Sequence, residues 1–225
     1  HANRLNGIDC EWLNTEQVKE FCPIINCSPN IRYPVMGSTL QKRAGTARHD
    51  AVAWGYARGA DTMGVDIIQN CEVKGIKRNK DEVEGIETTK GFIKTKKIGV
   101  VAAGHSSVIA NMVDIKLPLE SKPLQALVSE PVKPIIDTVV MSNAVHAYVS
   151  QSDKGELVIG AGTDTYVSYT QRGSHNVVEG TLKAILELYP IFSRMKMLRQ
   201  WGGIVDICPD ASPIISKTHI KGLYF

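Results

Sequence analysis

A chain of 225 residues with 43% hydrophobic and 22% charged residues has ordinary globular composition and enough length to bury a substantial core. Its formal charge of +3 is small and evenly spread. No basic run alternates with aromatic residues, which argues against a nucleic-acid partner. The longest apolar runs, such as residues 98–104, fall far short of the roughly 20 residues that cross a bilayer, and no signal peptide opens the sequence, so no membrane partner is expected. The five cysteines (Cys10, Cys22, Cys27, Cys71 and Cys208) are odd in number and irregularly spaced. That pattern fits reduced thiols in a cytoplasmic protein better than a disulfide framework, and it offers no zinc site.

In chain order, Thr15 ahead of residues 16–20 predicts a short capped helix, closed before Pro23. Residues 33–41 read as extended and lead to Gly45, a turn residue, and then to a helix from His49 to near Gly64. Residues 65–69 alternate and are β-branched. Residues 72–78 and 82–89 read as a hairpin pair, the lysine-rich residues 90–97 as a solvated hairpin, and residues 98–103 as a fully apolar buried strand. From Gly104 the character changes. Pro118, Pro123, Pro131 and Pro134 punctuate extended segments, and residues 124–129, 147–150 and 157–160 read as strands of an antiparallel sheet. A helix is expected over residues 177–189, ended by Pro190, with short strands at 204–207 and 213–216. The sequence opens at His1 without a Gly-rich βα start and stops at Phe225 inside what reads as a strand, so it is read as a fragment.

Residues 43–54, Arg43-Ala-Gly-Thr-Ala-Arg-His-Asp-Ala-Val-Ala-Trp54, place a lone histidine, His49, where an extended segment gives way to a helix. Behind it Ala53, Ala57, Ala60 and Gly64 form a small-residue face, expected to pack closely on parallel strands, while Val52, Tyr56 and Met63 add an apolar arc. The opening turn offers unpaired N–H groups and a positive dipole end, which suit an anionic or electron-rich ligand. Arg48 acts in the same direction, and such a field favours the neutral, nucleophilic imidazole. The competing reading is a solvent-facing histidine without a role, the commoner fate of a lone histidine.

These residues, together with Asn3-Arg-Leu-Asn-Gly-Ile8, residues 64–73, residues 100–104, Trp201-Gly-Gly-Ile-Val-Asp206 and Cys208-Pro-Asp-Ala-Ser-Pro213, resemble the FAD-dependent amine and amino-acid oxidase superfamily. Within it they are most similar to the β-subunit family of heterotetrameric sarcosine oxidases. The order and spacing of the pieces carry the resemblance, since each alone is only moderately specific. The resemblance implies a mixed α/β fold: the central part of an FAD-binding dinucleotide-fold domain interleaved with an antiparallel, sheet-rich substrate domain. The segments would be 1–44 in the substrate domain, 45–105 in the FAD domain, 106–205 in the substrate domain and 206–225 returning to the FAD domain. It also implies two cofactors, noncovalent FAD and an FMN attached covalently to a histidine. His49 stands at the matching position, with Thr46 and Arg48 also assigned to cofactor binding. Val73 would meet the FAD adenine through its backbone, and Ala103 and Gly104 would pass close to the FAD. Close packing between strand and helix is the alternative reason for small residues at 102–104.

The activity implied is oxidation of sarcosine, with electrons passing from FAD to FMN to O₂ and yielding glycine, a one-carbon unit and hydrogen peroxide. Sarcosine, tetrahydrofolate held by a partner subunit, and the other subunits of a hetero-oligomer would be the partners. Catalytic residues are not assigned, and the 225 residues alone are expected to be inactive. Two rivals remain open: a dehydrogenase of dimethylglycine or another N-methyl amino acid with a single flavin, and a truncated non-catalytic scaffold. Gly160-Ala-Gly-Thr-Asp-Thr165 lacks the third glycine of a dinucleotide fingerprint and reads as a strand end near an active site. Trp201 reads as a core residue and Asp210 as a turn residue. His105, Ser106 and Ser107 lack a carboxylate to complete a hydrolase triad, and His146, His175 and His219 lack metal-ligand spacing.

Overall fold

A computed structural model describes residues 2–225, with Ala161 described by its backbone alone. The elements in chain order are α1 (Ala2–Leu5), β1 (Glu11–Asn14), α2 (Thr15–Phe21), β2 (Gly37–Leu40), α3 (His49–Thr62), β3 (Val73–Asn79), β4 (Glu82–Thr88), β5 (Gly91–Lys94) and β6 (Ile98–Gly99). They continue with α4 (Ser106–Asn111), β7 (Glu120–Pro131), β8 (Val140–Ser142), β9 (Ala147–Gln151), β10 (Glu156–Thr163), α5 (His175–Leu188), β11 (Met197–Ile207) and β12 (Leu223–Tyr224). Short 3-10 turns cover Ala103–His105 and Pro190–Arg194. The fold is mixed α/β with antiparallel sheets, as the sequence predicts. The chain divides into two interleaved units: residues 2–47, 123–164 and 170–203 form the first, and residues 48–122, 165–169 and 204–225 the second.

The first unit is built on a five-stranded sheet in the order β11-β7-β10-β9-β8, where β10 runs antiparallel to both β7 and β9. Leu127, Val149, Leu157 and Ile159 point from this sheet into a core completed by Ile185, Leu188, Tyr189 and Phe192. Val178, Leu182 and Ile185 recur at helical spacing and turn one face of α5 onto the sheet. Pro190, lacking an N–H, ends α5 and opens the 3-10 turn. α2 adds Val18 and Cys22 to the same core. Its cap is Asn14 and not Thr15: the Asn14 side chain accepts from the Gln17 N–H and the Gln17 side chain accepts from the Asn14 N–H, each at 2.9 Å. The Thr15 hydroxyl instead donates to the Val35 carbonyl at 2.8 Å. In β10, Gly160 is small for a packing reason, since a Cβ there would stand 2.0 Å from the Tyr148 ring. Trp201 is not in the core. It is 38% exposed on β11, with the Arg199 guanidinium 5.9 Å from its ring centre.

The second unit contains the antiparallel sheet β3-β4-β5, the parallel pair β6–β12, and a core of Ile76, Val83, Val100, Val113, Ile220 and Leu223. The apolar run 98–103 forms a strand only over Ile98–Gly99, extended by the Val100 N–H bonded to the Tyr224 carbonyl at 2.9 Å. Beyond it the chain turns at Ala103, whose φ of 44° ends any extended course. Residues 65–69 are not a strand, and Val65, Ile67 and Ile68 are each at least half exposed. Residues 213–216 likewise form no strand. Residues 65–69 have strand propensity but no ladder partner among the described residues, and in 213–216 only Ser216 is paired, exchanging both backbone hydrogen bonds with Phe225 at 2.8 and 2.9 Å.

α3 starts at His49, as the sequence predicts, and closes before Gly64, whose φ of 83° is the left-handed stop. Among the described residues its small-residue face packs on no strand. α3 buries no side chain, and a Cβ at Gly55 or Gly59 would meet no heavy atom within 4 Å among the described residues. A face of small residues permits close packing but does not itself recruit a neighbour. Among the described residues no helix is long and apolar enough to cross a membrane.

Ile185 is 1% exposed at the centre of the α5–sheet contact. Ile185→Ala should lower unfolding free energy by about 2–5 kcal/mol in urea titration, the cost of a buried cavity. A loss below about 1 kcal/mol would mean that α5 does not anchor this core.

Candidate functional site

Within the second unit lies a cavity of about 680 Å³. One wall is the exit of β6 from Val100 to Ala103. Opposite stand the end of β11 at Asp206–Ile207, the turn that follows it, and Phe225. Val101 is 98% exposed and Ile215 85%, so the cavity presents bare apolar surface with few polar groups, which suits a flat, largely apolar ligand.

Two contacts and one backbone conformation build the first wall. A Cβ at Gly104 would stand 2.4 Å from Cγ2 of Ile204, so only glycine lets the turn approach β11. The buried Ser121 hydroxyl donates to the Gly104 carbonyl. Ala103 takes the left-handed conformation, uncommon for a residue with a Cβ, and faces the cavity. The smallness of Gly104 is therefore set by packing against Ile204, while Ala103 lines the cavity.

The opposite wall ends in a tight turn. Asp210 is its turn residue, as the sequence predicts: its carboxylate accepts from the Ser212 N–H at 3.1 Å, the Ala211 N–H donates to the Cys208 carbonyl at 3.0 Å, and Ala211 has φ 56°. A hydrogen bond from the Cys208 thiol, and next the Ser212 N–H, hold the Asp210 carboxyl below its ordinary value. The same bond to Asp210, followed by burial, pushes the Cys208 thiol up from its ordinary 9.0. At neutral pH Cys208 therefore lines the cavity as a neutral thiol.

Ala103 is thus the one sequence-predicted site residue in the cavity wall, with Gly104 directly behind it. Val73 opens β3 and pairs with Thr88. Arg48 and His49 form the start of α3, and Thr46 lies in the extended segment before it; none of these four lines the cavity. His49 is exposed, and Arg48, in extended conformation, gives α3 no side-chain cap. The Arg48 guanidinium lies 3.6 Å from the Asp50 carboxylate. The Ala51 N–H first, and then the charges of Arg48 and His49, hold Asp50 below its usual range. The positive end of α3 is thereby partly offset by its own Asp50.

Asp206, Cys208 and Ser212 had a sequence signal, lying in the stretches that carry the family resemblance. Leu117, Leu119 and Phe225 had none, since apolar residues from two separate segments meet only in the folded chain. His105 takes part in no triad; its ring leans on that of Tyr169, 5.1 Å between centres.

The family described as FAD dependent oxidoreductase matches residues 1–225. The chain belongs to that family. It is 59% identical over 223 residues to the sarcosine oxidase subunit beta of an Arthrobacter species, covering 99% of this chain and 55% of the relative. To that of Rhodobacter capsulatus it is 54% identical over 224 residues, covering 100% of this chain and 54% of the relative. The chain thus spans about half the length of these relatives. Its fold resembles an L-proline dehydrogenase from P. horikoshii, at a TM-score of 0.89 and 24% identity over 98% of this chain and 59% of that one. It also resembles a glycine oxidase from Bacillus cereus, at 0.83 and 17% over 99% and 59%. The open apolar cavity with its left-handed Ala103 turn fits the ring portion of the cofactor for which the family is named. A G-x-G-x-x-G phosphate loop is not among these 225 residues.

Asp210→Asn removes the charge that opposes ionisation of Cys208, so alkylation of Cys208 by iodoacetamide at pH 8 should become faster. Mass spectrometry of the labelled peptide reads the rate. An unchanged or slower rate would show that Asp210 does not hold the thiol protonated.

Proposed function

We propose that this chain is the flavin-binding part of an enzyme of the sarcosine oxidase type, oxidising the N-methyl amine of sarcosine. The identity of 59% over nearly the whole chain to a sarcosine oxidase subunit beta is the observation that carries this reading. The cavity supports it with an apolar wall on which a ring system can lie. Val101, Ala103, Ile215 and Phe225 would hold the FAD ring, and Val73 would meet the adenine through its backbone. When bound, FAD would accept a hydride equivalent from the substrate and FMN would relay electrons to O₂, with glycine, a one-carbon unit and hydrogen peroxide as products. The chain's own residues supply position. The contact of Ile204 with Gly104 sets the wall, and the neutral Cys208 and the apolar side chains would present uncharged surface to the ring.

His49 is proposed as the attachment point for FMN, with Arg48 and Thr46 beside it. Its imidazole is exposed on the first residue of a 14-residue helix, open to a ring methyl group from outside. Offset by Asp50, the helix end supplies less positive field than the sequence implies. Arg48, whose guanidinium lies 3.6 Å from the Asp50 carboxylate, is the cation next to His49 in the sequence and would face an electron-rich ring as part of that pair. The uncovered face of α3 suits a chain that works inside a larger assembly with other subunits, one of them holding tetrahydrofolate, in the cytoplasm.

In the intact enzyme, His49→Asn should abolish flavin that stays with acid-precipitated protein while leaving acid-extractable FAD near its normal amount. Acid-stable flavin persisting in that variant would remove His49 from the role. A wild-type enzyme with extractable FAD but no acid-stable flavin would favour a single-flavin dehydrogenase of another N-methyl amino acid. One without any flavin would favour a non-catalytic scaffold.

A further inference from the structure

The charge on the cavity lining has one sign. Asp206 and Cys208 are its titratable side chains, Cys208 stands there as a neutral thiol, and no lysine, arginine or histidine is among the described residues that line the wall. All of these residues belong to the second unit. Ile204 and Asp206 lie two residues apart in β11, so their side chains leave the same face of the strand, about 7 Å from one another. Ile204 sets that face against Gly104, where a Cβ would stand 2.4 Å from its Cγ2. Asp206, one pleat further on, is carried to the cavity wall opposite Val100–Ala103.

Asp206 is exposed, and among the described residues its carboxylate has neither an ion pair nor a hydrogen bond. The other carboxylate of this wall differs. Asp210 is engaged by the Ser212 N–H and the Cys208 thiol, and it adds a second negative charge in the turn between lining residues. A cavity with this charge repels anions and gathers cations. A partnerless carboxylate gains most from a ligand that brings a positive charge together with N–H donors. The surface around it, with Val101 98% and Ile215 85% exposed, calls for methyl or ring groups on the same ligand. A small organic ammonium carrying an N-methyl group answers both demands, and about 680 Å³ leaves room for it beside a flat ring. A metal ion does not, since no group of three metal-ligating side chains stands together among the described residues.

We propose that Asp206 is the counter-charge for the substrate's ammonium group and selects a secondary amine at this site. Resting on the function proposed above, the ligand is an N-methyl amino acid in its ammonium form. Its two N–H groups donate to the Asp206 carboxylate, its methyl group lies on the apolar wall, and its own carboxylate turns away from Asp206 toward the open side of the cavity. The pairing governs which molecules bind and supplies none of the redox chemistry.

Asp206→Asn keeps the size of the side chain and removes its charge, and it tests this in the intact enzyme with two ligands of one shape. One is sarcosine. The other is methoxyacetate, in which an ether oxygen replaces the secondary ammonium. KM for sarcosine should rise about tenfold with kcat changed far less. The inhibition constant of methoxyacetate should stay level or fall, because the repulsion of its carboxylate is relieved. Asp206→Glu restores the charge and should recover most of the loss. An unmoved KM, a Glu variant no better than the Asn variant, or equal weakening of sarcosine and methoxyacetate each overturns the proposal. If Asp206→Asn does not fold, the wild type decides: dimethylammonium, a cation without a carboxylate, should compete with sarcosine, and absence of competition overturns the pairing. A wild-type enzyme that holds flavin but does not oxidise sarcosine defeats the proposed function instead. Saturation-transfer NMR of dimethylammonium then still judges Asp206: a signal lost in Asp206→Asn upholds the pairing, and equal signals in variant and wild type overturn it.

Discussion

Ile204 occupies the space a side chain at Gly104 would need, 2.4 Å from where its Cβ would be, and the candidate site depends on that contact. Because nothing projects from Gly104, the end of β11 lies against the turn that follows β6, and Ala103 and Asp206 can share one cavity. Ser121 secures the same turn from behind through the Gly104 carbonyl. A larger residue at 104 would force the turn from β11 and open the wall, since a packed contact cannot yield by more than a few tenths of an ångström.

The resulting chemistry is spare. The cavity is mostly apolar, its cysteine is kept neutral by Asp210, and its left-handed turns at Ala103 and Ala211 hold backbone in conformations that only surrounding contacts maintain. Such a lining offers mainly apolar surface and backbone, with Asp206 its carboxylate. This is the division of labour expected when a cofactor carries the reaction. It agrees with membership of the FAD-dependent oxidoreductase family and with a fold shared with enzymes that have as little as 17% of the sequence in common.

α3 stands apart from this economy. It is a 14-residue helix with no buried side chain, whose Trp54, Tyr56 and Met63 are 58, 79 and 79% exposed. Isolated helices of this length are marginal in water, and most helical stability comes from packing an apolar face. Asp50 in its first turn and the Gly64 stop give local support. Among the described residues its support is therefore local.

Patterns that depend on near neighbours were legible in the sequence. The start of α3 at His49, its stop at Gly64, the hairpin of β3 and β4, the strands β7, β9 and β10, and the termination of α5 by Pro190 follow from spacing, capping and the geometry of glycine and proline. The family likeness also located the segments Asp206 and Cys208 belong to. Where only a distant partner decides, the sequence misled or was silent. Residues 65–69 have strand propensity and no ladder, and the small face of α3 has the right composition and no sheet. Trp201 is large and apolar yet lies on an exposed strand. Gly104 and Gly160 are small because of Ile204 and the Tyr148 ring, contacts no local pattern encodes. The hydrogen-bonded cluster of Gln125, Asp164, Ser174 and Gln200 was likewise invisible, because four polar residues spread over 75 positions have no shared period. Local sequence determines which conformations are open to each segment. The tertiary structure decides which of them find partners, since burial and hydrogen bonding reward only the groups that meet.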